Sequence, residues 1–143
     1  MANVIPNAFR GEVFSGTHNF ASGGDAFKIA LYTGSIASVY TTASTVVSST
    51  NEVNTGGGSN YSRQALSSQA VASGTAVATV DFGDSTWSSA TFTAAFAAIY
   101  NDDQGDKLCV VLDFGGDKTC TNGTFKITYP DPSTPANAII SMS

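Results

Sequence analysis

Few residues in this chain could do chemistry. His18 is the only histidine, and a Ser-His-Asp catalyst would need it as the general base. It sits between Thr17 and Asn19 in a stretch broken by glycines, and no G-x-S-x-G nucleophile motif occurs. Paired carboxylates of the glycosidase kind must frame a cleft, yet nearly all the aspartates fall in turn-like clusters. Asp113-Phe114-Gly115 spells the kinase metal-binding tripeptide, but its catalytic-loop and glycine-loop partners are missing from a chain of 143 residues. Asp113 is better read as ending a strand before a double-glycine turn, where aspartate accepts backbone hydrogen bonds. The expectation is a protein that is not an enzyme, with no catalytic residue.

The candidates for metals and phosphates are equally thin. Asn101, Asp103, Gly105 and Asp106 have the look of a calcium loop. The EF-hand pattern needs a glutamate at its twelfth position, which here is Leu112, and the glycine comes one position early. A hairpin turn is the better reading, with a weak calcium site shared with Asp81, Asp84 or Asp117 as the alternative. The triple glycine in Thr55-Gly56-Gly57-Gly58-Ser59 could cradle a phosphate, but no Lys-Ser/Thr follows it and no G-x-G-x-x-G is present. It reads as a loop tip. Cys109 and Cys120 with one histidine cannot complete a four-ligand zinc site. They could face each other across neighbouring strands, but with no secretion signal expected, two free thiols are the better expectation. No metal and no cofactor is expected.

The whole chain limits the partners. Net charge is −5, and the six basic residues are scattered rather than clustered, so a phosphate backbone would find no basic patch. No apolar run reaches the ~20 residues of a membrane span. The start, MANVIPNAFRGEVF, lacks a charged region followed by an apolar core, so no secretion signal is expected. Charged residues make up only 12% of the chain, about half the usual share. Serine, threonine, alanine and glycine fill the gap, which suits turn-rich β-structure more than long helices.

The elements that must position these residues read as strands. In Ala26–Thr33, Phe27, Ile29 and Leu31 share one face, with Lys28 and Tyr32 on the other and Ala30 between them. Residues 36–53 read as a long surface excursion holding a short helix or strand. Tyr61–Leu66 alternates, and Val71–Phe82 alternates around Gly74. From Val80 to Pro130, apolar or alternating runs are separated by Gly/Asp/Asn/Ser clusters, the signature of an antiparallel meander. The spacing puts Phe92, Phe96 and Tyr100 on one face of a strand over residues 89–100. Pairing with residues 107–114 would bury Phe92, Phe96, Leu108, Val110 and Leu112 together. Residues 115–118 and 121–123 read as further turns, residues 130–135 as a proline-stiffened connector, and residues 136–142 as a last strand. The fold class expected is all-β: a single antiparallel β-sandwich or jelly-roll-like domain over residues 26–143. An irregular, extended N-terminal arm over residues 1–25 precedes it, since Pro6 and several glycines disfavour helix there.

Several blocks carry a resemblance. They are Phe27–Thr33 (FKIALYT), Thr50–Val53 (TNEV), Val80–Ala94 (VDFGDSTWSSATFTA), Ile99–Asn101 (IYN), Leu112–Thr119 (LDFGGDKT) and Asn122–Pro130 (NGTFKITYP). Together they resemble a family of small tailed-phage virion structural proteins, over about three quarters of the chain. The resemblance implies a capsid-associated protein of the virion, assembled in the host cytoplasm. Such a protein would be a head decoration or cement protein bound to the major capsid protein as a homo-oligomer, with a trimer favoured. A tail or fibre component that binds a host surface or another tail protein is the alternative. The blocks bring no catalytic assignment and imply neither nucleic acid nor membrane as partner. Val4, Ile5, Ala8 and Phe9 supply apolar anchors that an arm free in solvent would not need. In a decoration protein they are therefore the expected capsid or subunit contact.

Overall fold

The computed structural model describes residues 3–130 and 138–142. The all-β expectation is met by two antiparallel sheets. The first holds β1 (Phe27–Tyr32), β2 (Gln64–Ala65), β5 (Ser85–Asn101) and β6 (Lys107–Ile127) in the order β2-β1-β5-β6. The second holds β3 (Ala70–Ser73), β4 (Ala78–Asp81) and β7 (Ile140–Met142) in the order β3-β4-β7. Of the segments expected near the C-terminus, residues 131–137 lie outside the described residues, as do Met1, Ala2 and Ser143.

Between the sheets lies the main core. Phe27, Ile29 and Leu31 of β1 meet Trp87, Phe92 and Ile99 of β5 and Ile140 of β7, with Val80 of β4 packed alongside. The predicted face of β1 is therefore correct, and its other face is buried too. Ala30 and Tyr32 join Ile36, Tyr40, Phe96, Ala98, Tyr100, Leu108 and Val111 in a second core on the far side of the sheet. Its cover is the segment read as a surface excursion, which carries a single 3-10 turn at Ile36–Ser38. Polar closure holds that cover down. The Tyr40 hydroxyl donates to the Tyr32 hydroxyl at 2.8 Å, Tyr32 donates to the Ser48 carbonyl at 2.6 Å, and the Ser48 amide donates back to Tyr40 at 2.8 Å. Buried hydroxyls must be satisfied in this way or cost stability.

The turns expected inside residues 107–127 are bulges in one strand. Ala94 pairs with Lys118 and Phe96 with Asp113, so residues 114–117 stand opposite the single residue Ala95. Gly115 and Gly116 have φ of 71° and 131°, which glycine adopts without strain. This irregularity corrects the face assignment. Phe92 faces the main core and Phe96 the second core, because the register shift at Ala95 reverses the alternation between them. Leu108 is likewise on the Phe96 side, while Val110 and Leu112 are on the Phe92 side.

The N-terminal arm is not extended. Asn7–Phe14 form helix α1 with Pro6 at its N-cap. Proline is excluded from a helix interior but tolerated at its start, where the missing N–H loses nothing. The helix ends in a Schellman motif, with the Thr17 amide donating to the Glu12 carbonyl and the Gly16 amide to the Val13 carbonyl. Gly16, at φ 72°, supplies the left-handed residue this ending requires. Phe9 and Phe20 belong to the main core, so residues 4–25 are part of the same packed unit as the strands.

Candidate functional site

The four expected contact residues are used within the chain. Val4 pairs with Val111 through two backbone bonds of 2.9 and 2.8 Å. Ile5 packs against the main core, Phe9 is buried in it, and Ala8 is half-buried. What α1 leaves outside is Phe14, which is 83% exposed. Phe14, Val13, Ile5, Ile140 and Met142 border a cavity of about 300 Å³ between the helix and β7.

Beneath α1 a polar cluster ties three elements together. The side chain of His18 is fully buried, and its Nε2 lies 2.9 Å from Oε2 of Glu12. The other Glu12 oxygen accepts from Nζ of Lys107 at the start of β6. Nδ2 of Asn101 lies 3.0 Å from Nδ1 of His18 and donates to Oδ2 of Asp25 at 2.8 Å. A carboxylate can only accept, so the Asp25 contact fixes which end of the Asn101 amide points at His18. The ring nitrogen facing that amide must then be the acceptor. Nε2–H is left as the donor to Glu12. Phe9 and Phe20 flank the imidazole at centroid distances of 5.1 and 6.0 Å.

The hydrogen bonds of this cluster join its two carboxylates and its imidazole to an amide and an ammonium. Burial works against ionisation of Glu12, but the hydrogen bonds from Lys107 and His18 outweigh it and hold the carboxyl below the ordinary range. Burial likewise opposes ionisation of Asp25, and hydrogen bonds from Asn101 and the Asn19 amide overcome it. Cys109 is fully buried and its thiol is pushed well up by that burial, which keeps it a poor nucleophile. Cys120 lies on the same strand, and both cysteines are free. They therefore do not face each other across neighbouring strands.

The calcium-like loop is the hairpin between β5 and β6. Two of its acids are turned onto the chain itself: Asp103 accepts from the Ala26 amide at 2.8 Å and Asp102 pairs with Lys28 at 2.9 Å. Asp84 pairs with Lys126 at 2.7 Å. Among the described residues no group of three or more His, Cys, Asp or Glu side chains is placed to hold a metal ion. The triple glycine is a surface turn, closed by Oδ1 of Asn54 on the Gly56 amide at 2.7 Å and by Ser59 on the Asn54 carbonyl at 2.6 Å.

Residue-type reasoning missed one cluster. Arg63 holds Glu52 through Nε and Nη2, both at 2.8 Å, and lies over the Tyr100 ring at 5.4 Å from its centre. Tyr61 also donates to Glu52 at 2.8 Å while accepting the Leu31 amide at 3.0 Å. A bidentate pair of this kind is geometrically specific, and here it fastens residues 52–63 to β1 and β5. The only hint in the sequence was Glu52 standing in the TNEV block.

The remaining surface feature is the outer edge of β6. Its first half is covered by the chain itself. Val4 pairs at Val111, the Leu108 amide donates to the Thr45 carbonyl at 3.0 Å, and the Val47 amide donates to the Asp106 carbonyl at 2.9 Å. No described segment pairs with its second half, from Phe114 to Ile127. A groove of about 470 Å³ runs along that half, lined by Phe114, Cys120, Phe125 and Ile127 and by Lys118 and Lys126. Comparison with family models, curated proteins and solved structures finds no match.

Proposed function

We propose that this chain is a structural protein of a phage virion, most specifically a head decoration protein. It would bridge major capsid protein subunits and be present as a homo-oligomer, a trimer being the favoured state. One observation carries the reading. Most of the blocks that resemble small virion proteins, Val80–Ala94, Leu112–Thr119 and Asn122–Pro130, fall on the paired strands β5 and β6, which form one ribbon, while Val80 and Asp81 belong to β4 of the second sheet. The second half of that ribbon has a free edge and an exposed face. A decorator works by many weak contacts made at once, where multivalency supplies the avidity. Threonine- and serine-rich strand faces such as Thr86, Ser88 and Thr91 dock with small desolvation penalties.

Val4, Ile5, Ala8 and Phe9, the expected contact residues, already belong to the packed N-terminal segment. Val4, Ile5 and Phe9 hold α1 and its flanks to the domain, so their truncation is expected to unfold the N-terminal segment rather than merely weaken docking. The test is copy number and position. Quantitative mass spectrometry and electron cryo-microscopy of purified particles should find hundreds of copies, placed at capsid symmetry axes. A few copies confined to the tail would replace decoration with the tail reading, and absence from the particle would overturn both.

A further inference from the structure

We infer that the second half of the β6 edge, residues 114–127, is a strand-addition site for an extended, acidic segment of another protein. The fold already uses this edge in that way. Val4 adds to it at Val111 and residues 45–47 add at 106–108, each through backbone bonds of ordinary length. From Phe114 onward no described segment adds to this edge; of its amides, Gly115 donates to Oδ1 of Asp113 at 2.9 Å and Asn122 to Oγ1 of Thr91 at 2.8 Å. Such an edge is a template for another strand.

The side chains give the site its selectivity. Phe114, Cys120 and Ile127 pack against the main core yet remain only half-buried. An added strand would cover them with its own alternate residues. The charged residues lining the groove are Lys118 and Lys126. Lys126 is neutralised in part by Asp84, while Lys118 has no acidic partner among the described residues. In a chain of net charge −5, this groove is a local basic strip that favours carboxylates on the incoming strand. A second copy of the chain is disfavoured. Antiparallel pairing of two copies about Asn122 sets Lys118 of each against Lys126 of the other, and like charges directly opposite destabilise a pair. Where the segment comes from rests on the function proposed above, namely the capsid protein beneath; the edge and its charge do not.

The test uses the full chain and two blocked nine-residue peptides of alternating valine and threonine, one with glutamate near each end and one with lysine there. Hydrogen exchange of the amides across residues 114–127 is followed with each peptide. The acidic peptide should slow exchange in that stretch, the basic peptide should not, and Lys118→Glu should abolish the effect while leaving the rest of the exchange pattern unchanged. No protection, equal protection by both peptides, or protection elsewhere would overturn the site. Protection that grows with protein concentration without peptide would replace the acidic segment by a second copy. None of these outcomes depends on where the protein sits in a virion, so failure here and failure of the decoration reading are separable.

Discussion

The β5–β6 ribbon is one hairpin with two unlike halves. From Ala94 to Asn101 every residue of β5 is buried, with a core on each face. From Ser85 to Thr93 burial alternates, and only one face is covered. The same two strands are thus a doubly covered layer at one end and a half-exposed ribbon at the other. The sequence differs accordingly. The buried end reads AAFAAIYN, a nearly unbroken apolar run, and the open end reads STWSSATFT, where large residues alternate with small polar ones. Doubly covered strands need small residues where both layers approach closely. Ala94, Ala97 and Ala98 are fully buried and meet that need. The contrast puts rigidity where the two cores meet and leaves the accessible surface to the other half.

The comparison can be broken most sharply at Phe96, which stacks on Tyr32 at 5.0 Å in the second core. Phe96→Ala is expected to cost about 3–5 kcal/mol, read from the denaturant midpoint. An effect below about 1 kcal/mol would mean that the second core is not a true core. Overfilling should be the next largest effect. Ala98→Leu, at a site with no exposure, is expected to destabilise by roughly 1–3 kcal/mol. Thermal unfolding would register it, and full tolerance would show that the buried half is loosely packed.

A smaller effect separates the N-terminal segment from the ribbon. Glu12 and Asp25 are both held below the ordinary carboxylate range by the hydrogen bonds they accept. A carboxyl lowered on folding stabilises the folded state above its unfolded pKa, and that contribution is lost as pH falls through its folded pKa. Hydrogen exchange at residues 4–25 should therefore quicken on acidification below the ordinary carboxylate range before the buried half of the ribbon responds. Glu12→Gln should flatten that pH dependence. Simultaneous loosening of the whole chain would remove the distinction. The smallest effect belongs to the open half: Thr86→Ala, at an exposed position, is expected to stay within about 0.5 kcal/mol of the unaltered chain. A larger loss in the same denaturant measurement would mean that the face is already engaged.

How much of this was legible follows from the local physics. β1 was readable because its alternation is unbroken and each face meets a core. The faces of Phe92 and Phe96 were not, because spacing alone cannot reveal that residues 114–117 bulge opposite Ala95. The same bulge turned an expected strand end at Asp113 into the middle of a 21-residue strand. Helix α1 was hidden by Pro6 and Gly11, which weaken helix propensity, while its support is tertiary: Phe9 is 3% exposed. Gly16 is one of the glycines that disfavour helix in that stretch, yet its place after Phe14 and Ser15 marks a helix end. Of the candidate site, His18 could be singled out by type. Its direct partners are Glu12, six residues back, and Asn101, 83 residues on; Asp25 and Lys107 join through these two, and no sequence pattern links the N-terminal members to those on β5 and β6.

Trp87, the sole tryptophan of the chain, is 2% exposed and donates its indole N–H to the Ser62 carbonyl at 2.8 Å. A dry indole emits at short wavelength, and this one touches the segment that lines the inner edge of the ribbon's open half. Its fluorescence is thus a built-in gauge of that half alone. If the emission shifts to the red at lower denaturant than the far-ultraviolet signal changes, the open half lets go first and the chain is not a single cooperative unit. Coincident transitions would mean that the two halves, so different in cover, still melt as one.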